Sequence, residues 1–201
     1  MRFVLAGQPN SGKSTIFNAV AGYRSATANF PGSSVSYTIS RALIHGREVE
    51  IVDLPGIYSL TSTAAIAGEA ERYLLDGDYD LIIDIIDASR LGRSLELTLQ
   101  LLELRHPMVV ALNQMDEAER RGVEVNLEEL ERRLGVPVVG TIGRRGQGLK
   151  ELFRKALQTV HVGQPAGPLC LDREVEDAVE AVVGILEDKG VKPGTPLRFA
   201  L

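Results

Sequence analysis

The fold is constrained most by eight residues near the start of the chain, GQPNSGKS at positions 7–14. They match G-x-x-x-x-G-K-[ST] in full and stand between an apolar run, RFVLA, and an amphipathic one that opens STIFNAV. A loop wrapped around a polyphosphate must turn several backbone N–H groups inward, so glycines are needed where the backbone approaches closely. The helix behind it adds unpaired N–H groups and a partial positive charge. Lys13 brings a full charge to the β- and γ-phosphates. The Ser14 hydroxyl suits Mg²⁺, a hard cation that prefers oxygen. The bland alternative is a glycine-rich turn that caps a helix, and the strand before and helix after weigh against it.

Beyond this loop, apolar runs alternate with amphipathic segments. Strands are predicted at 3–6, 37–44, 49–53, 81–86, 108–113 and 136–140, and helices at 14–21, 65–75, 95–103, 127–134 and 149–160. This alternation implies an α/β fold with a mostly parallel six-stranded sheet covered by helices on both faces. His45-Gly46 lies between two strand patterns, so those two strands pair antiparallel through a tight turn. Residues 1–162 form this domain. GQPAGP at 163–168 opens a linker over 163–170, and 171–201 carries apolar residues at helical spacing, the start of a helical appendage. The closing GTPLRFAL stops inside an apolar pattern, as a truncated chain would.

Bulk composition excludes several classes. The 201 residues carry a net charge of −5, which disfavours non-specific nucleic-acid binding. A single cysteine, Cys170, permits no internal disulfide and fits a reducing compartment. LIIDIIDA, the most apolar stretch, is cut by Asp84 and Asp87 and is far too short to span a bilayer.

A second acidic position follows the loop. Asp53 ends the strand VEIVD and begins DLPG. A carboxylate there can hold Mg²⁺ through water, and Gly56 can bring its N–H to a γ-phosphate with no side chain in the way. Leu54 and Pro55 complete that turn. In GTPases that resemble Ras, glutamine follows this glycine and orients the attacking water. Here the residue is Ile57, so unaided hydrolysis is expected to be slow. Tyr58 is a weak substitute, expected to pack rather than to catalyse.

NQMD at 113–116 follows the next apolar strand but one. Guanine presents N1–H and an exocyclic amine side by side, and one carboxylate, Asp116, accepts both. Adenine offers no such pair, and sites built on such bonds discriminate by up to about 10⁴–10⁵. Asn113 would tie this loop to the phosphate loop, and the methylenes of Gln114 would cover part of the base beside Met115. After a further strand, Thr141-Ile142-Gly143 stands where backbone N–H groups meet the guanine oxygen. In order, the four elements favour GTP over ATP.

GQPNSGKSTIFNAVAG, NFPGSSVS, VDLPGIYSL, LELTLQLLEL, ALNQMDEAERRG and LGVPVVGTIGRRGQGLKEL together resemble the cytosolic GTPase domain of FeoB, the bacterial ferrous iron transport family. The resemblance implies a Ras-like P-loop GTPase fold, with 171–201 as the beginning of a helical spacer domain. It implies GTP and GDP as ligands, held by Gly7, Gln8, Pro9, Asn10, Ser11, Gly12, Lys13, Ser14, Thr15 and the DLPG, NQMD and 141–143 segments. Lys13, Asn10 and Gly56 would take the catalytic roles. Mg²⁺ would be held by Ser14, Asp53 and Ser34. Ser34 stands where the family usually carries threonine. Asn10 matches the asparagine that helps hold K⁺ in potassium-activated members. Residues 24–36 and 56–72 would be the two switches. The partner would be the membrane transporter domain of the same full-length chain, at the cytoplasmic face of the bacterial inner membrane, with an oligomer forming through that membrane part.

The remaining features receive the bland reading. His45, His106 and His161 show no ligand spacing, and ERR at 131–133 and RR at 144–145 read as solvated faces. Two other functions stay open beside a GTPase that regulates iron transport. One is a ribosome- or RNA-associated GTPase, which the acidic balance disfavours. The other is a nucleotide-sensing module with incidental hydrolysis, which Ile57 keeps open.

Overall fold

The computed structural model describes residues 1–21, 25–30, 36–60, 65–163 and 166. Ser34, Cys170, nearly all of the predicted linker and the predicted spacer at 171–201 lie outside the described residues. The strands are β1 (Arg2–Ala6), β2 (Ser25–Asn29), β3 (Ser36–Ile44), β4 (Arg47–Asp53), β5 (Leu81–Asp87), β6 (Met108–Asn113) and β7 (Val138–Gly140). The helices are α1 (Lys13–Val20), α2 (Ala65–Asp76), α3 (Leu91–Glu103), α4 (Met115–Arg120), α5 (Leu127–Leu134) and α6 (Leu149–Val162).

The strands form one seven-stranded sheet in the order β2-β3-β4-β1-β5-β6-β7. β4, β1, β5, β6 and β7 run parallel, while β3 is antiparallel to both of its neighbours. The expectation of six strands is corrected to seven. The extra one, β2, reads SATAN. It is a short edge strand of small and polar residues, with too little apolar alternation to signal itself. The predicted hairpin turn is present: His45 at φ 47° and Gly46 at φ 77° join β3 to β4. Two positive φ angles in a two-residue loop match the right-handed twist of the flanking strands.

Period-two alternation divides the core. Phe3, Leu5, Ile51, Leu81, Ile83 and Ile85 meet α1 and α6 on one face. Val4, Val52, Ile82, Ile86, Val110 and Leu112 meet α2 to α5 on the other. Burying each such side chain contributes roughly 1.5–3 kcal/mol. On the second face an aromatic group joins Phe30, Tyr37 and Tyr73, with ring centroids 4.7 to 5.8 Å apart. Several boundaries shift by a few residues, with α3 starting at Leu91 rather than 95, and one short helix was not expected. β7 starts at Val138 because Pro137 has no N–H for the ladder, although its carbonyl still accepts from Val110 N at 2.8 Å. α4 is absent from the expected helices, because six residues with one apolar stripe leave little periodic signal. No helix among the described residues is long and apolar enough to cross a membrane.

Candidate functional site

The loops after β1, β4, β6 and β7 all leave from the carboxyl end of the sheet, where open parallel sheets place their ligands. The strand order reverses at β1, and residues 7–12 run from its end into α1. Gly12 takes φ 97°, and a Cβ there would lie 2.1 Å from Asn113 Nδ2. Only glycine lets the helix start this close to the β6 loop.

Lys13 is buried and Ser14 exposed at the start of α1. Ser14 Oγ donates to Asp53 Oδ2 at 3.0 Å. Asp53 Oδ1 is buried with no hydrogen-bond partner among the described residues. Burial pushes the Asp53 carboxyl above its ordinary range, against the Lys13 charge and the Ser14 bond. Burial likewise lowers Lys13, against the Asp53 charge. Such a pair favours a polyanion beside the lysine and a divalent cation beside the carboxylate. Two hard oxygens, Ser14 Oγ and Asp53, with one carboxylate oxygen unsatisfied, fit a partly hydrated Mg²⁺.

Within DLPG, Leu54 is buried, and its N–H donates to Leu5 O at 3.3 Å, so it offers the site neither side chain nor N–H. Gly56 lies against the phosphate loop: a Cβ would fall 2.8 Å from Pro9 N and 2.9 Å from Pro9 Cα. Ile57 is 4% exposed, with its N–H donating to Gly7 O at 3.3 Å. Tyr58 is not packed as expected. It is 47% exposed, with the Arg93 guanidinium 4.7 Å from its ring centre.

The base-side loops meet at Asn113, which is 3% exposed. Its Nδ2 donates to Ser11 O at 2.8 Å, and its Oδ1 accepts from Gly143 N at 2.9 Å and Thr141 Oγ1 at 3.2 Å. One side chain therefore joins the phosphate loop, the β6 loop and the β7 loop. Met115 N also donates to Thr141 O at 3.3 Å. Gln114 Nε2 donates to Asn10 O at 2.9 Å. Both residues adopt left-handed backbone, φ 62° and φ 67°. Asparagine tolerates this backbone, while at Gln114 it costs about 1–2 kcal/mol, which the bond to Asn10 helps to offset.

A cleft of about 450 Å³ is lined by Asn10, Gly12, Thr15, Asp116, Ile142 and Gly143, among others, which is the size of an ordinary small-ligand site. Asp116 lies at its base-side end and is ion-paired with Arg144. Desolvation opposes ionisation, but the Arg144 bond and the charges of Arg144, Arg145 and Arg120 hold its carboxyl below the usual range.

Several contacts were not visible in the sequence. Arg144 is exposed, as a solvated face implies, and also ion-pairs with Asp116. Glu131, also read that way, accepts from Val138 N and Lys155 Nζ, each at 2.9 Å. Gln8 Nε2 donates to Arg93 O at 2.7 Å, and Gln100 Oε1 accepts from Leu60 N at 2.7 Å. The only signal for these last two was the position of Arg93 and Gln100 on one face of α3. Among the described residues no group of three His, Cys, Asp or Glu side chains is placed to hold a metal ion.

A phosphate loop, a carboxylate at the end of the adjacent strand and an Asn-x-x-Asp loop, all on one mixed sheet, define a Ras-like P-loop GTPase fold. The family model described as ferrous iron transport protein B matches residues 1–156. The chain belongs to that family. It is 40% identical over 173 residues to the Fe(2+) transporter FeoB of Escherichia coli K12, and 41% identical to that of Salmonella typhimurium. Each match covers 80% of this chain but 22% of the relative, so the match spans about a fifth of the curated relatives' length. Among solved structures, the cytosolic domain of L. pneumophila FeoB aligns with TM-score 0.88 at 36% identity, covering 99% of this chain and 86% of that one. S. thermophilus NFeoB E67A bound to GDP aligns at 0.86 and 33% identity, over 98% and 76%. The GMPPNP form of the T. maritima cytosolic domain aligns at 0.86 and 34%, over 98% and 77%.

Proposed function

We propose that this chain is the GTP-binding and slowly GTP-hydrolysing regulatory domain of a membrane ferrous iron transporter. The observation that carries the reading is the Asn113 brace. It joins the phosphate loop, which leads into the buried Lys13, to the β7 loop, and Asn10, Gly12, Thr15 and Asp116 line one cleft between them, an arrangement that suits a nucleoside polyphosphate. The neighbours bound to GDP or in GMPPNP form support a guanine nucleotide.

The backbone N–H groups of residues 10–14 and the Lys13 ammonium bind and orient the phosphates. Ser14 and Asp53 would hold Mg²⁺, with Ser34 as a further oxygen, and the ion would supply charge neutralisation at the phosphates. Gly56 brings its N–H to the γ-phosphate. Asp116 accepts both guanine donors, and residues 141–143 turn N–H groups to the guanine oxygen. Ile57 has no polar side chain to position water, which supports slow turnover. Asn10, held at the cleft in left-handed backbone, is the candidate K⁺ ligand. Iron as cargo, the cytoplasmic face of the inner membrane and oligomerisation through a membrane domain rest on the family.

Calorimetry with Mg²⁺ should show GDP and GTP bound and ATP rejected. Lys13→Ala should lose both guanine nucleotides, and Asp116→Ala should lose the preference. Equal uptake of ATP would overturn the reading. Ile57 favours a second reading, a nucleotide-sensing module whose hydrolysis is incidental. Turnover that rises in KCl over NaCl, and loses that rise in Asn10→Ala, decides for a potassium-activated enzyme.

A further inference from the structure

The carboxylate assigned above to guanine already has a partner. Asp116 Oδ2 accepts from Nη2 of Arg144. The Asp116 side chain is 13% exposed and that of Arg144 56% exposed, so the guanidinium lies on the solvent side of the carboxylate and covers it. Both side chains line the same cleft. Among the described residues Arg144 makes no other ion pair, and its guanidinium has one carboxylate to serve.

The guanine edge and a guanidinium are chemically alike from the side of the carboxylate. Each presents N–H donors side by side on a positively polarised edge, matched to two carboxylate oxygens. Two such edges on one carboxylate repel each other, so they compete. The backbone beneath Arg144 has little freedom to settle the matter by moving. The preceding Gly143 N–H is fixed to Asn113 Oδ1 at 2.9 Å, and the turn is closed by Gly146 N to Gly143 O at 3.1 Å. The exchange is therefore one of side-chain rotation, which takes picoseconds to nanoseconds for an exposed residue.

We propose that Arg144 guards the base-reading carboxylate. An incoming guanine nucleotide must displace it from Asp116, and its return competes with the bound base and speeds release. This rests on the guanine reading above and assigns that site an exchange-setting residue. Arg144 thereby weakens binding and shortens residence.

The test compares wild type with Arg144→Gln, using GDP by calorimetry and a fluorescent GDP by stopped flow, both with Mg²⁺. An exposed ion pair sets the scale, so Arg144→Gln should bind GDP roughly two- to fivefold more tightly, mainly through slower release. The gap should narrow as NaCl is raised and screens the pair. Asp116→Asn with xanthosine diphosphate supplies the control, because the amide matches the xanthine edge and carries no charge for Arg144. There Arg144→Gln should change nothing. Unchanged thermal midpoints confirm that folding is not the cause. Unchanged or weaker GDP binding in Arg144→Gln, with wild type still preferring GDP to ADP, overturns the guard and leaves the guanine reading standing. A wild-type chain that binds neither GDP nor GTP sinks both.

Discussion

Replacing Asn113 with alanine should destabilise the chain even with no nucleotide present. The side chain is 3% exposed and makes three hydrogen bonds. Alanine leaves Ser11 O and Gly143 N–H without that partner, while the Thr141 hydroxyl can rotate to another. Each buried group left unpaired costs about 1–3 kcal/mol. Two such groups cost about 2–6 kcal/mol, with the lower end expected if water enters the space. Against a typical domain stability of about 5–15 kcal/mol this is a large fraction. At about 2–4 °C per kcal/mol for a chain of this size, the midpoint should fall by roughly 4–24 °C. Thermal and urea denaturation of the nucleotide-free protein measures it. A midpoint within about 2 °C of wild type would refute the reasoning, because it would mean that the three loops hold their places without the brace.

Gly56→Ala should abolish any difference between GTP and GDP affinity. Its methyl would meet backbone atoms of Pro9, which cannot swing aside, and retained discrimination by calorimetry would contradict this. Gln100→Ala should cost about 1–3 kcal/mol by leaving the Leu60 N–H unpaired, and it should speed protease cleavage near 57–60. Equal cleavage rates would show that α3 does not hold that segment. Asp84 is fully buried, and burial raises its carboxyl to about 7, against the Thr98 bond. A raised folded value means that the protein binds more protons than the unfolded chain between about pH 4 and about 7. The Asp84 contribution to stability should therefore be fully present at and below about pH 4 and fall by up to about 4 kcal/mol as pH rises through 7, then level off. Asp84→Asn should remove that slope in urea titrations, and a slope that survives would place its cause elsewhere.

The parallel half of the sheet was legible because its buried strands are continuous apolar runs, and the phosphate loop because its spacing is long and specific. Asp53 and Asn113 were found through their order behind that loop. What stayed hidden was set by tertiary contact. β2 is an edge strand whose residues carry no apolar period. α4 is too short to show one. Arg144 and Asp116 stand 28 residues apart in sequence, and nothing local to RR announces that one of the two lies on a carboxylate. Gln100 belongs to an ordinary amphipathic helix until the fold lays residues 59 and 60 across it. Leu54, counted among ligand contacts for its place in DLPG, turns both its side chain and its N–H into the body of the protein.

The β3–β4 hairpin begins where the first proposed switch ends and finishes at Asp53, just before the second. Its register sets Thr38 opposite Asp53 and Ile44 opposite Arg47. A slip of one residue would turn Val49 and Ile51 out of the interior, so the ladder cannot creep. The two segments that the family resemblance implies as switches are therefore joined by a ruler of constant length. Any motion passed between them must travel as a tilt or bend of the whole ribbon, and a substitution that softens the ribbon far from the cleft should blur the timing of both.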